Sequence, residues 1–309
     1  MTHKTKSLIF AFIALFSWGI HGPAGRYLAV QDVNMYFVAV TRFWIGTLVF
    51  LLFLMYKQDF GFSLFKAKWK DILKISVIGI CLNSILYHIT LKYLHGTLVM
   101  ILENLAPVFV MLIVYFRDKI SPTKAQVISL IIAMLGLITI VMGKSSFPEL
   151  GQGYTIGIVL GILTGITFGA YVYLSSGLMK GLGKDPLKVI QLLFWIFLSA
   201  SIMMSPIYLF IEGKLPTSHS EIFWLLEMGI FQSGIAYLFW NFALTGINAN
   251  TAGILFTFTV LFTTINEVLF LNLNVNSTLV LGGVMITIAG YLLSRRPKKK
   301  LLLKRVPQV

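Results

Sequence analysis

The sequence predicts an all-α polytopic membrane protein of ten transmembrane helices, arranged as two inverted five-helix repeats around a central cavity. Three observations lead there. The first is composition: 57% of the 309 residues are apolar, 12% are charged and the mean hydropathy is +0.86, against about a quarter charged in ordinary soluble domains. A hydrocarbon core about 30 Å thick takes roughly 20 apolar residues at a rise of about 1.5 Å each, and apolar segments of that length follow one another here with short polar breaks. The second observation is where the charge sits, and the third is a weak internal repeat.

In chain order, the apolar runs predict spans at 7–30, 34–56, 71–93, 96–116, 123–143, 153–175, 187–211, 221–243, 249–271 and 277–294. The first run follows Lys4 and Lys6 and is longer than the apolar region of a secretory signal, so it reads as an uncleaved span. Breaks near Gln31 and Gly96 read as tight turns, whereas Lys57 to Lys70 and Lys180 to Lys188 read as loops. A cytoplasmic N-terminus gathers 20 of the 25 Lys and Arg on the inner side, with only Lys92, Lys144 and Lys214 outside and Arg26 and Arg42 within spans. By the positive-inside rule this predicts both termini in the cytoplasm of a bacterial inner membrane.

The net charge of +14 lies in loops and in the tail from Arg295 to Arg305. That distribution predicts anionic lipids as the partner of the tail, and no nucleic acid. The single Cys81, inside an apolar run, excludes an intrachain disulfide and fits neither zinc nor redox chemistry, which leaves packing.

Phe43-Trp44 recurs as Phe194-Trp195, Gly79-Ile80 with Tyr87 as Gly229-Ile230 with Tyr237, and Gly136 with Gly143 as Gly283 with Gly290; Gly19 then pairs with Gly169. Each unit holds an odd number of spans, so the second enters the membrane upside down. Residues 1–146 form the first repeat, 150–295 the second and 296–309 a basic cytoplasmic tail. Inverted repeats of this kind characterise secondary transporters, in which the substrate site lies near the midplane and the halves rock about it.

On these residues the chain resembles the EamA-type branch of the drug/metabolite transporter superfamily. Trp18-Gly19, Arg42, Pro107, Asp118-Lys119-Ile120-Ser121-Pro122 and Gly136 carry the likeness in the first half, and Leu269-Phe270-Leu271 with Gly282-Gly283 in the second. The second half departs from the pattern at Leu273, where an acidic residue is expected, and in a ninth span without proline. The resemblance implies paired five-helix domains and export or import of amino acids, sugars, nucleotide derivatives, cofactors or cationic drugs. It also implies that spans five and ten are peripheral, which makes Gly136, Gly143, Gly283 and Gly290 candidates for the seam of a homodimer.

Charges within a bilayer cost at least about 2.5–3.5 kcal/mol each and face a wet cavity or a partner. Arg26, Arg42, His88, Glu103, Glu227 and Glu267 all fall within about two turns of the outer face, at one depth. They predict a polar cluster in the outer half of a central cavity, with Glu103 and Glu267 meeting the substrate or a coupling proton. The protonation of a carboxylate depends on burial and on paired cations, and coupling would use that sensitivity. The competing structural readings are a snorkelling Arg26, a salt bridge from Arg42 to Glu103 or a helix end, an interfacial Glu227 and a hydrogen-bonded packing role for His88.

Trp18, Asn83, Tyr87, Tyr171, Trp240 and Asn241 are the further substrate-binding candidates, with Tyr173, Gln191 and Gln232 also polar or aromatic within spans. Asn83 and Tyr87, like Tyr237 and Asn241, are spaced i, i+4 and share a helix face that lines a cavity or joins two helices. Trp195 and Trp240 have interfacial anchoring as the alternative. Gly157, Gly161, Gly165 and Gly169 form a four-residue ladder that predicts close helix packing.

No phosphate-cradling glycine loop, His-Glu-x-x-His or cysteine cluster occurs, so neither an enzyme nor a cofactor is expected. The expectation is a secondary carrier of a small polar or amphipathic metabolite. Amino-acid export is the leading case, because a mixed Arg and Glu cluster suits a zwitterion; export of cationic drugs is the alternative, and a lipid-modifying enzyme the rival from another class.

Overall fold

A computed structural model describes residues 2–94, 96–143, 153–182, 185–210, 212–271 and 277–294. Among them, seven helices are long and apolar enough to cross a membrane: α1 His3–Val30, α2 Met35–Lys57, α3 Phe62–Tyr93, α4 Val99–Asp118, α6 Tyr154–Lys180, α7 Pro186–Phe210 and α8 His219–Leu244. Three further helices complete the ten, α5 Lys124–Gly143, α9 over 249–271 and α10 Ser277–Ser294, with shorter apolar stretches at Lys124–Thr139, Ala249–Thr263 and Val280–Ala289. Apart from one isolated bridge, Val33 with Lys214, the described residues contain no β-structure. The fold is therefore the ten-helix membrane bundle of two inverted five-helix repeats.

Both the N-terminus and the turns after α2, α4, α6 and α8 lie on one side, here the terminal face: His3 meets Thr245 and Ser7 lies against Gly246. The segment Lys57–Lys70 is not a loop, because α3 begins at Phe62. Its first turns alternate lysines with Phe62, Phe65 and Trp69, which dilutes the hydropathy signal. The rings still pack: Phe65 stacks 4.4 Å from Trp195, whose indole donates to the Phe60 carbonyl at 2.8 Å.

Several spans are interrupted where the sequence removes a backbone donor. α1 breaks between Trp18 and His21, four residues before Pro23, which leaves the Gly19 carbonyl without its i+4 N–H. In α4, Pro107 does the same to Glu103, and the helix is broken between Glu103 and Ala106. α9 breaks at Thr257 without a proline; there the Thr257 and Thr259 hydroxyls donate to the carbonyls of Ile254 and Phe256 and loosen the turn.

α3 and α8 carry π-helical stretches, Ile75–Leu82 and Met228–Ala236, at places matched by the repeat of Gly79-Ile80 in Gly229-Ile230. Such widened turns are frequent at functional sites. Each hands the chain to a polar face, that of Asn83 and Tyr87 in α3 and that of Tyr237 and Asn241 in α8.

The glycine ladder of α6 lies against α4. A Cβ on Gly161 would overlap Leu102 Cδ1, one on Gly165 would stand 2.7 Å from the Leu102 carbonyl, and one on Gly169 3.1 Å from the Ala106 carbonyl, while Gly157 meets Leu94 and Tyr93. Gly136 of α5 faces α10, 2.9 Å from the Gly282 carbonyl by the same measure, and Gly283 faces Leu261. Gly136 thus joins the two halves and Gly283 packs within the second, both through contacts inside one chain. The surroundings of Gly143 and Gly290 lie outside the described residues.

Candidate functional site

Within the bundle, toward the face opposite the termini, lies a cavity of about 50 Å³ lined by Trp18, His21, Arg42, Asn83, Tyr87, His88 and Glu103, with Phe168, Tyr237, Phe256 and Thr259 among its other walls. It has room for roughly three to five waters and no more. The breaks in α1 and α4 put His21 and Glu103 there, and the π-helical stretch of α3 delivers Asn83.

The guanidinium of Arg42 is the centre of the polar network. It is 5% exposed, so its charge must be matched locally. Its Nε donates to Ser233 Oγ at 3.0 Å, its Nη1 lies 3.1 Å from each ring nitrogen of His21, and its Cζ stands 4.8 Å from the centre of the Phe43 ring. Neighbouring contacts settle the direction of the bonds. With Glu227 as a carboxylate, the Gln232 amide nitrogen, 2.6 Å from it, donates and the amide oxygen turns to His21 Nδ1. His21 therefore carries its proton on Nδ1 and offers Nε2 to Arg42. The Gln232 carbonyl accepts from the indole of Trp18 at 3.1 Å.

Arg42 forms no ion pair with a carboxylate among the described residues, so the expected bridge to Glu103 is absent. Glu103 instead accepts from Asn83 Nδ2 at 3.3 Å, an amide shared with the Thr164 carbonyl and Thr167 Oγ1. The cavity also has unsatisfied groups. Tyr87 is 4% and His88 1% exposed, and among the described residues neither the Tyr87 hydroxyl nor His88 Nε2 has a hydrogen-bond partner. The other ring nitrogen of His88 contacts the Ser84 carbonyl at 2.7 Å, which orients the ring.

Of the candidates read from the sequence, Trp18, Arg42, Asn83, Tyr87, His88 and Glu103 come together at this cavity. Glu227 belongs to the network through Gln232 rather than to the interface. Tyr171, Trp240 and Asn241 do not line the cavity. They stand beneath it, with Asn241 donating to the Tyr171 hydroxyl at 2.8 Å and Trp240 fully buried 5.3 Å from Trp18, so Trp240 is not an interfacial anchor. With Phe168 and Phe256, whose ring centres are 4.1 Å apart, they form an aromatic layer. Glu267 is on α9, but its side chain and that of Arg26 lie outside the described residues. His21, Gln232 and Ser233 complete the site. An ionisable residue one turn beyond Trp18 was the available signal for His21.

A second, larger space opens on the terminal face: a vestibule of about 590 Å³ between the two halves, bordered by Lys68, Asp71, Asp118, Tyr173, Lys180 and Asn250 among others. The molecule thus has a buried polar site, an aromatic layer and a wide mouth on one face. At the other face, Asn34 N–H donates to the Lys214 carbonyl at 2.8 Å and Lys214 Nζ to the Gln31 carbonyl at 3.1 Å, tying together the turns that precede α2 and α8.

Two inverted repeats enclosing a buried, incompletely satisfied polar cavity define a membrane transporter. The chain belongs to the EamA-like transporter family, which matches residues 5–142 and 155–295. Similar proteins include an uncharacterized transporter of Archaeoglobus fulgidus, 25% identical over 81% of this chain and 84% of the relative. The biotin transporter of Escherichia coli K12 is 26% identical over 80% of this chain and 78% of its own, and that of Salmonella typhimurium 25% identical over 75% and 73%. A solved crystal structure superposes with a TM-score of 0.78 over 94% of this chain and 96% of the other, at 15% identity, which speaks for the fold alone.

Proposed function

We propose that this transporter is a secondary carrier for a small amphipathic metabolite bearing a carboxylate, an amino acid or a related zwitterion, moved by alternating access through the central cavity. The observation that carries the reading is Arg42: a buried guanidinium held by neutral groups, beside the unpartnered Tyr87 hydroxyl and His88 Nε2. An uncompensated buried cation costs several kcal/mol, and a bidentate carboxylate is the ligand that offsets most of it. Glu103, which accepts from an Asn83 amide, supplies the acceptor for an ammonium group across the same cavity.

A cationic drug has less support, because nothing among the described residues neutralises Arg42 when such a cargo is bound. Biotin is a carboxylate as well, and relatives about 25% identical are named biotin transporters, so it belongs in any test panel. The charge bias of the loops supports a cytoplasmic terminal face and a bacterial inner membrane, export being the direction that begins at the vestibule. A basic tail from 296 to 309 suits anionic lipid headgroups there.

Uptake and efflux in proteoliposomes, against neutral amino acids, biotin and a lipophilic cation, with and without a pH gradient, test this reading. Saturable movement of a carboxylate-bearing compound that Arg42→Met lowers at least tenfold is expected. Transport of the cation alone, insensitive to Arg42→Met, would overturn it. A reporter on the tail that reads out away from the cytoplasm would overturn the orientation.

A further inference from the structure

The vestibule on the terminal face holds polar groups that the central site does not use. Ser176 is 2% and Asn250 6% exposed; both line the vestibule, and Ser176 Oγ and Asn250 Oδ1 have no hydrogen-bond partner among the described residues. A buried polar atom left in that state costs about 1–3 kcal/mol, so two at one cavity call for a ligand or water to satisfy them.

A second feature points to the charge of that ligand. The first segment of α9, Ala249–Phe256, starts at the vestibule with Asn248 capping the Thr251 N–H at 2.8 Å. The N–H groups of Ala249 and Asn250 have no acceptor within the helix, and with the partial positive charge of a helix start they favour an anion. Lys180 also lines the vestibule. Asp118 also borders the space; it accepts from the Tyr173 hydroxyl at 2.6 Å and is thereby held in place. A carboxylate at the α9 start and an N–H donor reaching Asn250 Oδ1 or Asp118 would satisfy both ends.

We infer that the vestibule is a second binding subsite for the transported zwitterion, occupied on the terminal side of the aromatic layer before or after passage through the Arg42 site. The inference rests on the substrate class proposed above. Its volume of about 590 Å³ is within the usual 300–1,000 Å³ of small-molecule sites, whereas the central cavity of about 50 Å³ must open before it admits such a molecule. The carrier therefore holds one substrate at the mouth while the central site is closed.

Equilibrium binding of radiolabelled leucine, glutamine and biotin to the full chain in lipid nanodiscs separates the two sites. The expected isotherm for at least one probe has two components. Arg42→Met removes one of them, Asn250→Leu weakens the other about tenfold, and the milder Ser176→Ala weakens the same component about threefold. In oriented proteoliposomes, Asn250→Leu raises the half-saturating concentration from the terminal face and leaves that from the opposite face unchanged. A single equivalent of probe that Arg42→Met abolishes and Asn250→Leu does not alter would overturn the subsite and leave the carrier reading intact. Saturable transport of the cation alone, with none of the three probes bound, would overturn both.

Discussion

At the scale of single residues, the site is a hydrogen-bond chain from Glu227 through Gln232 and His21 to Arg42 and Ser233, with Glu103 and Asn83 on the opposite wall. Replacing Gln232 by Leu leaves Glu227 and His21 without their common partner and frees Arg42 to reorient. Transport is expected to fall at least tenfold while the protein stays folded, measured as initial flux per monodisperse molecule. Glu103→Gln keeps the bond geometry to Asn83 but removes the charge; flux and its response to a pH gradient are both expected to fall about tenfold. Unchanged flux with unchanged pH response would remove Glu103 from the coupling role. Depth from the span ends was enough to bring Arg42, His88 and Glu103 together from sequence. It did not show which group Arg42 touches, because a side chain's partner depends on helix rotation and on breaks such as that before His21.

Among the elements, α6 and α4 show how composition sets distance. The Gly161 and Gly165 positions let the Leu102 side chain and carbonyl approach the α6 backbone closer than any Cβ allows. Gly165→Leu therefore pushes α4 away from α6 and with it Glu103, whose carbonyl lies 3.5 Å from the same hypothetical Cβ. A cost of about 1–3 kcal/mol is expected for such overpacking, read as a lower thermal midpoint and loss of monodisperse protein. Gly25→Ala in α1 is the control: its nearest neighbours are 3.7 and 4.0 Å away, ordinary contact distances, and the change is expected to be neutral or stabilising by about 0.5–1 kcal/mol. The ladder was legible because four-residue spacing is a property of one helix. The π-helical stretches were not, since nothing in the apolar run around Ile75 or Met228 differs from an α-helical sequence; only their matched placement in the repeat marks them. Nor was the helical stub from Phe62, whose lysines mask it in any hydropathy average.

For the whole molecule, the consequence of the fold is a difference between its two faces. The terminal face is open to a vestibule, and the opposite face is tied across the halves by the turn after α1 and the segment before α8. Glu221 anchors that tie: it receives Lys214 Nζ at 2.5 Å and the N–H groups of Thr217 and Ser218 at 2.8 and 3.1 Å. Asn34 adds a side-chain donation to the Glu212 carbonyl at 2.5 Å. Charge counting put Lys214 on the outer side, but the tie itself joins turns 178 residues apart at Asn34 and Glu212, a separation at which sequence carries no local signal. Under the alternating access proposed above, this tie breaks when the other face closes, and its strength then sets the balance between the two states. In the Lys214–Glu221 pair the carboxylate is buried and the ammonium exposed; a pair open to solvent on one side contributes about 1 kcal/mol and a neutral hydrogen bond about 0.5–1.5. Asn34→Ala with Glu221→Gln should then move the equilibrium by about 1–2 kcal/mol, a factor of roughly 5–30. The measurement is the labelling rate of a Thr259→Cys probe, with Cys81→Ala to remove the native thiol, by an impermeant reagent added at the face opposite the termini. A rise of that order is expected, with labelling from the terminal face falling in step. An unchanged rate from both faces in a normally folded variant would mean that closure of the outer face is held by the helices themselves, through the packing of α2 on α7 and α8, and not by the tie between their turns.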